Sequence, residues 1–258
     1  MDKHPRDRYL TIVGRKPVLE ALQRSDLQYG ELLIDRKLKK NALTDILNGA
    51  KVKGIKPIFC ELKKVNRRSK NPKQDQGVAL DIETPLIDQL DAWSRLHKNG
   101  TLLVADGVST PGNVGMMIRS AAAAGLSGLV LPEHNCPRIG PLVVKASAGT
   151  IFHCPVLKTT DAASGIQCLK AAGWHICALD ARGENQLFQM NVKPRTAWVL
   201  GNETHGISDA VVPLVDTWVS IPMAAGVESL NVAMSATIVA FDSVRRTLDK
   251  PHLDLDQG

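Results

Sequence analysis

Three glycine-containing segments carry amide, carboxylate and guanidinium side chains, and each follows or includes a predicted strand. They are residues 106–119, 201–206 and 220–235. Ligands of open parallel α/β sheets bind beyond the carboxyl ends of the strands, where such segments come together. Amide, carboxylate and guanidinium groups can all hydrogen-bond a polar or anionic ligand. The three segments are therefore the candidate functional site.

Arg119 lies in an otherwise apolar predicted helix that begins near Asn113. A charge in such a helix must be paired or must face an anionic ligand. Glu203 is the obvious internal partner, so a structural ion pair and a ligand-binding arginine both remain open. In the third segment, Ser229 or Asn231 can cap the helix that follows. By itself, that segment is most typical of a connection that closes a domain.

Other kinds of site are only weakly indicated. No Gly-x-Gly-x-x-Gly pattern and no Walker lysine is present, which argues against a dinucleotide site or a P-loop. The sequence contains no Ser-His-Asp or paired-carboxylate pattern that would indicate a hydrolase. His205 is a single loop histidine and His153 lies in a predicted strand at residues 152–157, so we interpret them as incidental and structural. Five cysteines without a Cys-x-x-Cys pair indicate neither a disulfide framework nor a zinc site, and no metal is predicted.

Composition favours a soluble protein of the cytoplasm. The 258 residues, 44% hydrophobic and 22% charged, allow one large domain or a medium domain with a small one. No run approaches the roughly 18 apolar residues of a membrane span. The N-terminus lacks the apolar core of a secretory signal, and unpaired cysteines suit a reducing compartment. We expect a cytoplasmic protein with no membrane partner.

Positive charge is concentrated in the N-terminal part of the chain. The net charge is +6, yet residues 1–98 hold 21 Lys+Arg against 13 Asp+Glu, while residues 99–258 hold 11 against 13. Residues 36–73 alone hold 13 basic and 2 acidic residues. Such asymmetry is typical of a surface that meets the phosphates of a nucleic acid, although a solvated lysine-rich surface is the alternative. The candidate RNA-binding residues are Lys63, Lys64, Arg67 and Arg68.

The predicted elements form two α/β parts with a boundary near residue 84. In the first part, the patterns predict helices at 16–24 and 41–53, strands at 31–34, 56–60 and 77–82, and a basic turn or short helix at 63–73. In the second part, strands are predicted at 101–107, 128–132, 152–157, 175–180, 197–201 and 218–222, with helices at 113–125, 141–149, 161–173 and after residue 231. Asp161 is predicted as the N-cap of the helix at 161–173. Strands of near-continuous apolar character between helices imply a parallel sheet covered on both faces.

Together the three segments resemble the SpoU/TrmH family of RNA ribose 2′-O-methyltransferases, in the SPOUT superfamily. The resemblance covers about residues 99–248 and rests on Asn113-Val-Gly-Met-Met-Ile-Arg119, Gly201-Asn-Glu-Thr-His-Gly206, and Ile221-Pro-Met with Glu228-Ser-Leu-Asn-Val232. Residues 12–82 resemble the ribosomal-protein-like substrate-binding domain of the rRNA-modifying branch, and the 23S rRNA guanosine enzymes are the nearest group. One departure is Val108-Ser-Thr-Pro111, where relatives usually have an Asp-Pro pair.

The resemblance implies an α/β fold with two domains. Residues 9–83 would form the small RNA substrate-binding domain, and residues 99–250 a parallel-sheet SPOUT domain with a trefoil knot, which is rare among proteins. It also implies S-adenosylmethionine bound at the knot and a homodimer whose interface completes the site. Positions that contact the cofactor, largely through backbone groups, match Gly201, Ile221 and Leu230, with Leu200 and Met223 beside them.

The catalytic-centre positions of the family match Asn113, Arg119, Glu203, Ser229 and Asn231. Methyl transfer to a 2′-hydroxyl requires that this weak nucleophile be positioned and its proton removed. The family's candidate base matches Arg119, but a guanidinium group keeps its proton in proteins. An anchor for a phosphate or for the 2′-oxygen is therefore an equal interpretation of Arg119.

The leading hypothesis is an S-adenosylmethionine-dependent 2′-O-methyltransferase that acts on structured RNA. The extra N-terminal domain favours 23S rRNA, and a tRNA 2′-O-methyltransferase is the first alternative. A non-catalytic RNA-binding or ribosome assembly factor is the rival from another class. A nucleotide-dependent oxidoreductase is the third hypothesis, and it lacks the glycine fingerprint.

Overall fold

The computed structural model describes residues 9–25, 27–69, 72–73, 75–83 and 90–249. These residues form two sheets of four and seven strands. The predicted boundary near residue 84 and the predicted domain end at residue 250 lie outside the described residues. None of the helices in the described part of the chain is long and apolar enough to span a membrane.

The first sheet is mixed and has three helices packed on it. Its strands are β1 (Tyr9–Val13), β2 (Tyr29–Asp35), β3 (Ile58–Cys60) and β4 (Val78–Glu83), in the order β1-β4-β2-β3. Its helices are α1 (Arg15–Gln23), α2 (Thr44–Val52) and α3 (Leu62–Ser69). β4 runs antiparallel to β1 and β2, whereas β3 is parallel to β2. Strand β1 was not among the predicted elements.

The basic segment predicted as a turn or short helix forms α3 as far as Ser69. Val65 and Ser69 are buried on its inner side, where Val65 packs against Leu33 and Ala79 of the sheet. Residues three or four apart share one side of a helix, so the remaining positions face solvent. Lys63, Lys64, Arg67 and Arg68 are all exposed.

The second sheet consists of seven parallel strands, which confirms the predicted class. The strands are β5 (Gly100–Ala105), β6 (Gly128–Pro132), β7 (Val156–Thr159), β8 (His175–Leu179), β9 (Asn185–Gln186), β10 (Arg195–Leu200) and β11 (Thr217–Ser220). Their order is β7-β6-β5-β10-β8-β11-β9. Every neighbouring pair is parallel, so all strands end at one edge of the sheet.

Five helices cover both faces of this sheet. They are α4 (Leu90–Leu96), α5 (Pro111–Ala123), α6 (Pro141–Ala146), α7 (Ala162–Ala171) and α8 (Val232–Leu248). Successive strand residues point to opposite faces, so Leu103 packs in the core under α5 and α8, while Leu102 packs in the core under α4 and α7. As predicted, Asp161 caps α7 and accepts a hydrogen bond from the Ser164 backbone at 2.8 Å.

The strand predicted at residues 152–157 is wrong in its first half. Residues Thr150–His153 form a turn of 3₁₀ helix, and the strand is confined to Val156–Thr159. Gly149, with a φ of 82°, opens the turn, and Pro155 has no N–H with which to join a strand ladder. His153 is consequently exposed outside the sheet, and its Nδ1 lies 3.3 Å from Nη1 of Arg24, just after α1.

Candidate functional site

A cleft of about 600 Å³ lies at the carboxyl ends of β8, β10 and β11, beside the start of α8. All five residues predicted to contact a cofactor line it: Leu200, Gly201, Ile221, Met223 and Leu230. Three of the predicted catalytic residues, Glu203, Ser229 and Asn231, line it as well. The cleft therefore unites the segments at 201–206 and 220–235, which are separate in the sequence.

Gly201 leaves bare backbone at the wall of this cleft because the loop after β10 folds tightly back on itself. A Cβ atom at Gly201 would clash with the carbonyl group of Gly206 and would lie 2.5 Å from the backbone nitrogen of Ile207. Asn202 and Gly206 exchange backbone hydrogen bonds of 2.8 and 3.0 Å that close the loop. No larger residue fits at position 201 without moving this backbone.

The Asn202 side chain ties the loop at 201–206 to the loop after β5. Its Nδ2 donates to the Gly107 carbonyl at 2.7 Å, while its Oδ1 accepts from the backbone N–H groups of Thr204 and His205. Ser208 adds a second tie through its backbone and hydroxyl, which donate to Asp106 at 2.7 and 3.0 Å. These bonds hold the two strand ends in one arrangement.

Glu203, Asn113 and Asn231 form a chain of hydrogen bonds that joins all three segments. Asn113 Nδ2 donates to Glu203 Oε1 at 2.7 Å, and Asn231 Nδ2 donates to Asn113 Oδ1 at 3.2 Å. Asn231 also caps α8 as predicted, because its Oδ1 accepts from the backbone N–H groups of Ala233 and Met234. The start of α8 is thereby coupled to the start of α5.

Ser109 completes the set of donors around Glu203. Its backbone N–H and its hydroxyl donate to Glu203 Oε2 at 3.2 and 3.1 Å. Burial raises the pKa of Glu203, but the hydrogen bonds from Asn113, from its own backbone and from Ser109 outweigh burial and lower the pKa to about 2. Glu203 is therefore a carboxylate at neutral pH, and its two oxygens accept the hydrogen bonds from Asn113 and Ser109.

Arg119 lies apart from this network. It is exposed on α5, and it makes no hydrogen bond or ion pair with any other residue that the structure describes. The internal Arg119–Glu203 pair that the sequence left open is thus replaced by the Asn113–Glu203 bond. Six residues separate Arg119 from Asn113, which is about 9 Å along the axis of a helix.

Sequence reasoning missed the residues at the end of β8 and just after it. Leu179, Asp180, Ala181 and Arg182 line the cleft. Arg182 donates to Asp180 through its backbone and side chain, with Nε 3.0 Å from Oδ1, and the side-chain bond from Arg182 is the main cause of the lowered pKa of Asp180. These residues could have been found from their place in the fold, because β8 is another parallel strand that ends at the edge of the sheet where ligands bind. The predicted strand at 175–180 already contained Asp180.

The histidine of the second segment has no partner in this network. The His205 backbone binds Asn202, and its exposed side chain makes no hydrogen bond or ion pair within the described part of the chain. Among the same residues, no three His, Cys, Asp or Glu side chains are grouped as metal ligands would be. The polar groups that line the cleft are amides, carboxylates, hydroxyls, the Arg182 guanidinium group and the backbone.

Comparison with known protein families identifies the chain. The SpoU rRNA methylase family matches residues 100–241, which is more than half of the sequence and includes all three segments. The chain belongs to the SpoU rRNA methylase family. A second match, to the RNA 2′-O ribose methyltransferase substrate-binding family, covers residues 11–86. The first match makes the protein an RNA methyltransferase. The second match indicates that its N-terminal part is a substrate-binding domain.

Individual relatives agree with the SpoU assignment over almost the whole chain. A protein of Staphylococcus saprophyticus from the TrmH family of tRNA/rRNA methyltransferases is 31% identical over 92% of this chain and 96% of its own length. The SpoU methyltransferase AviRb from Streptomyces viridochromogenes, solved in complex with the cofactor AdoMet, is 26% identical, with a TM-score of 0.79 over 95% of this chain and 92% of AviRb.

A third relative shares only part of the fold. The TrmH/SpoU tRNA modifying enzyme from A. aeolicus is 21% identical, with a TM-score of 0.53 over 63% of this chain and 84% of its own. At this identity the likeness concerns the fold alone.

Proposed function

We propose that this SpoU protein acts in the cytoplasm and transfers a methyl group from S-adenosylmethionine to a ribose 2′-hydroxyl of structured RNA, with 23S rRNA as the substrate. The observation that carries the proposal is the hydrogen-bonded chain Glu203–Asn113–Asn231 at the edge of the cleft. This chain fixes amide groups beside a ligand-sized space without using any group that titrates near neutral pH.

The walls of the cleft fit S-adenosylmethionine, the cofactor of the SpoU family. Leu200, Ile221 and Leu230 supply apolar surface for an adenine ring, and the bare backbone at Gly201 allows close approach by its polar edge. Carboxylates at Glu203 and Asp180 suit a ligand that carries sulfonium and ammonium groups. When bound, the sulfonium would supply the methyl group and leave as a thioether, and the proton of the 2′-hydroxyl would pass to water, so the protein's task is largely orientation.

The polar residues of the site have positioning roles in this proposal. Asn113 from the first segment, with Ser229 and Asn231 from the third, would orient the ribose and the cofactor, which lowers the entropy cost of the reaction. Glu203 keeps Asn113 in one amide orientation through their 2.7 Å bond. Arg119 would hold a phosphate or the developing 2′-oxyanion through its permanent charge.

We further propose that the protein is a homodimer in which Arg119 completes the cleft of the partner. An apolar face is exposed on α5 and α8, where Met116, Met234 and Phe241 are 43%, 60% and 48% exposed. Arg119 lies on the same side of α5 as Met116, three residues away. Large exposed apolar residues grouped around a free arginine are typical of a protein interface. A trefoil knot around the segments 201–206 and 220–235 remains part of this proposal.

The choice of rRNA over tRNA rests on the N-terminal part of the chain. Residues 11–86 match a substrate-binding family, whereas the tRNA modifying enzyme from A. aeolicus aligns with only 63% of the chain. A tRNA substrate is the second candidate, favoured by the name of the Staphylococcus relative. The proposal includes methylation of a guanosine of 23S rRNA, as the sequence suggested.

The exposed face of α3 provides a test of RNA binding. Changing Lys63 and Arg67 to glutamate should weaken RNA binding and lower the slope of log affinity against log salt by about 1 to 2, since each lost phosphate contact removes roughly 0.7–0.9. Filter binding at several salt concentrations measures this slope. An unchanged slope would place the RNA surface elsewhere.

Arg68 is unsuitable for that experiment, although it was predicted with the others. Its Nη2 lies 2.6 Å from Glu31 and 2.9 Å from the buried Asp81. Burial raises the pKa of Asp81, and the hydrogen bond from Thr11 and the charge of Arg68 oppose that rise. Reversing Arg68 would leave a buried carboxylate without its cation and so destabilise the fold. Arg95→Glu, on α4, is the matched control for charge reversal.

The proposed reaction can be tested in two steps. Calorimetry with S-adenosylmethionine should show binding, and the absence of binding to the full-length protein would leave the non-catalytic RNA-binding factor as the better explanation. Mapping of 2′-O-methyl groups in rRNA and tRNA should then show one site that disappears in a deletion strain. A site lost from tRNA instead of rRNA would overturn the substrate assignment and retain the reaction.

A further inference from the structure

A second cleft, of about 630 Å³, lies at the opposite edge of the large sheet. It is formed where β5, β8, β10 and β11 begin, whereas the cofactor cleft lies where strands end. Its charged and titratable lining residues are Lys98, Lys170, His175, Lys193, Arg195 and Asp216. None of the roles proposed for the cofactor cleft or for α3 uses them.

The positive charges of this cleft are not balanced by the one carboxylate. Lys170 Nζ lies 2.5 Å from Asp216 Oδ1, and Asp216 Oδ2 accepts from the Ile176 backbone at 2.9 Å, so Asp216 is fully engaged. Lys98 and Lys193 are exposed and form no hydrogen bond or ion pair with other described residues. Like charges gathered without counter-ions repel one another, and an anion relieves that repulsion.

Arg195 is held in a defined position at the wall of the cleft. Its Nη2 donates to the Ser94 carbonyl at 2.7 Å, and its guanidinium carbon lies 5.4 Å from the centre of the Trp174 ring. Its Nη1 faces the bare backbone of Gly173, since a Cβ atom there would lie 3.3 Å away. A guanidinium group fixed in this way loses little entropy when it binds a phosphate.

The pKa of His175 depends on the charged groups of the cleft. Burial lowers the pKa of His175 first, the charges of Lys193 and Lys170 lower it further, and only Asp216 opposes them. Its Nε2 is 2.9 Å from the Thr217 hydroxyl. An anion bound near these lysines would raise the pKa of His175, which makes this histidine a reporter of occupancy.

We propose that this basic cleft is a second phosphate-binding site that holds the backbone of the RNA substrate at a distance from the methylated nucleotide. The inference rests on RNA as the substrate. A strand of six residues spans about 20 Å, so the two clefts lie roughly 20 Å apart, and only a ligand several nucleotides long can reach both. A structured RNA is long enough to reach both edges, and a mononucleotide is not.

Removing charge from the cleft tests the proposal. The Lys98→Gln/Lys193→Gln variant should bind an RNA substrate fragment about tenfold more weakly at low salt, with a slope of log affinity against log salt that is smaller by about 1 to 2. Lys145→Gln, an exposed lysine of α6 that bonds no other described residue and lies outside the substrate-binding match, is the control and should change neither quantity. Equal affinity and equal slope in the double variant and the wild type would overturn the proposal.

A nuclear magnetic resonance titration of His175 distinguishes RNA from a free phosphate ligand. Addition of the RNA fragment to the wild-type protein should raise the His175 pKa, and millimolar inorganic phosphate should leave it nearly unchanged. A rise with inorganic phosphate, combined with normal RNA affinity of the double variant, would show a small-anion site instead.

Methyl transfer by the same preparations separates this inference from the proposed function. If the wild-type protein methylates RNA and the double variant binds RNA equally well, only the second site is disproved. If the wild-type protein shows no methyl transfer but its RNA affinity depends on Lys98 and Lys193, the reaction is disproved and the binding site stands.

Discussion

Replacing Arg119 by alanine should lower kcat for methyl transfer by about 10²- to 10³-fold, the usual cost of losing one fixed group that stabilises developing charge. Arg119 is exposed and bonds no other described residue, so its removal breaks no internal contact of the chain. The thermal midpoint and the affinity for S-adenosylmethionine should therefore match the wild type. The measurement is the rate of labelled methyl incorporation into RNA.

Two controls define what Arg119 contributes. Arg119→Lys retains the charge without the planar guanidinium group, so partial recovery by lysine would favour an anchoring charge over a general base. Arg95→Ala removes an exposed arginine from α4 on the other face of the sheet and should be fully active. Unimpaired methyl transfer by Arg119→Ala would remove this residue from the mechanism.

Changing Gly201 to alanine should weaken cofactor binding roughly tenfold to a hundredfold. The new Cβ would clash with the Gly206 carbonyl group, so the loop at 201–206 must move. Forcing a methyl group into a packed site costs typically about 1–3 kcal/mol, and the displaced loop is a wall of the cleft. Calorimetry with S-adenosylmethionine measures the loss.

Gly112→Ala is the matched control, because it adds the same methyl group near the same site. Its nearest neighbour would be the Thr110 methyl group at 3.8 Å, an ordinary contact, so affinity should be unchanged. Equal affinities of the two alanine variants would show that the tight turn at Gly201 is not part of the cofactor site.

Mixing the two defective proteins tests the proposed dimer. If Arg119 of one protomer serves the cleft of the other, a heterodimer of Arg119→Ala with Gly201→Ala contains one site with both defects and one intact site. At an S-adenosylmethionine concentration too low to saturate the Gly201→Ala cleft, co-expression should then give methyl transfer well above that of either homodimer. An inactive mixture with demonstrated heterodimers would place Arg119 and the cleft in the same chain.

Short-range patterns were sufficient for much of the fold. Apolar strands between helices predicted the parallel sheet, Asp161 was recognised as a cap, and Asn231 was one of two named candidates for the cap of α8. Capping depends on atoms two or three residues apart, so the sequence alone carries the information. The strand at residues 152–157 failed because an apolar run does not reveal where a turn interrupts it.

Strand order was beyond the reach of such patterns. β10 lies between β5 and β8, although about 90 residues separate it from β5. That arrangement brings the ends of these strands together and so decides which polar side chains meet. Ser109 and Asp180 were missed for this reason, since neither has a local feature that marks it as part of a site.

The residue types of the site were evident from the sequence alone, because the three motifs together are specific to the SpoU family. The hydrogen-bond partners of these residues were not evident from the sequence. Asn113 binds Glu203 across 90 positions of sequence and Asn231 across 118, while Arg119, for which a pair with Glu203 was left open, bonds neither. Hydrogen bonds require atoms within about 3 Å, and only the packed sheet determines which distant side chains reach that distance.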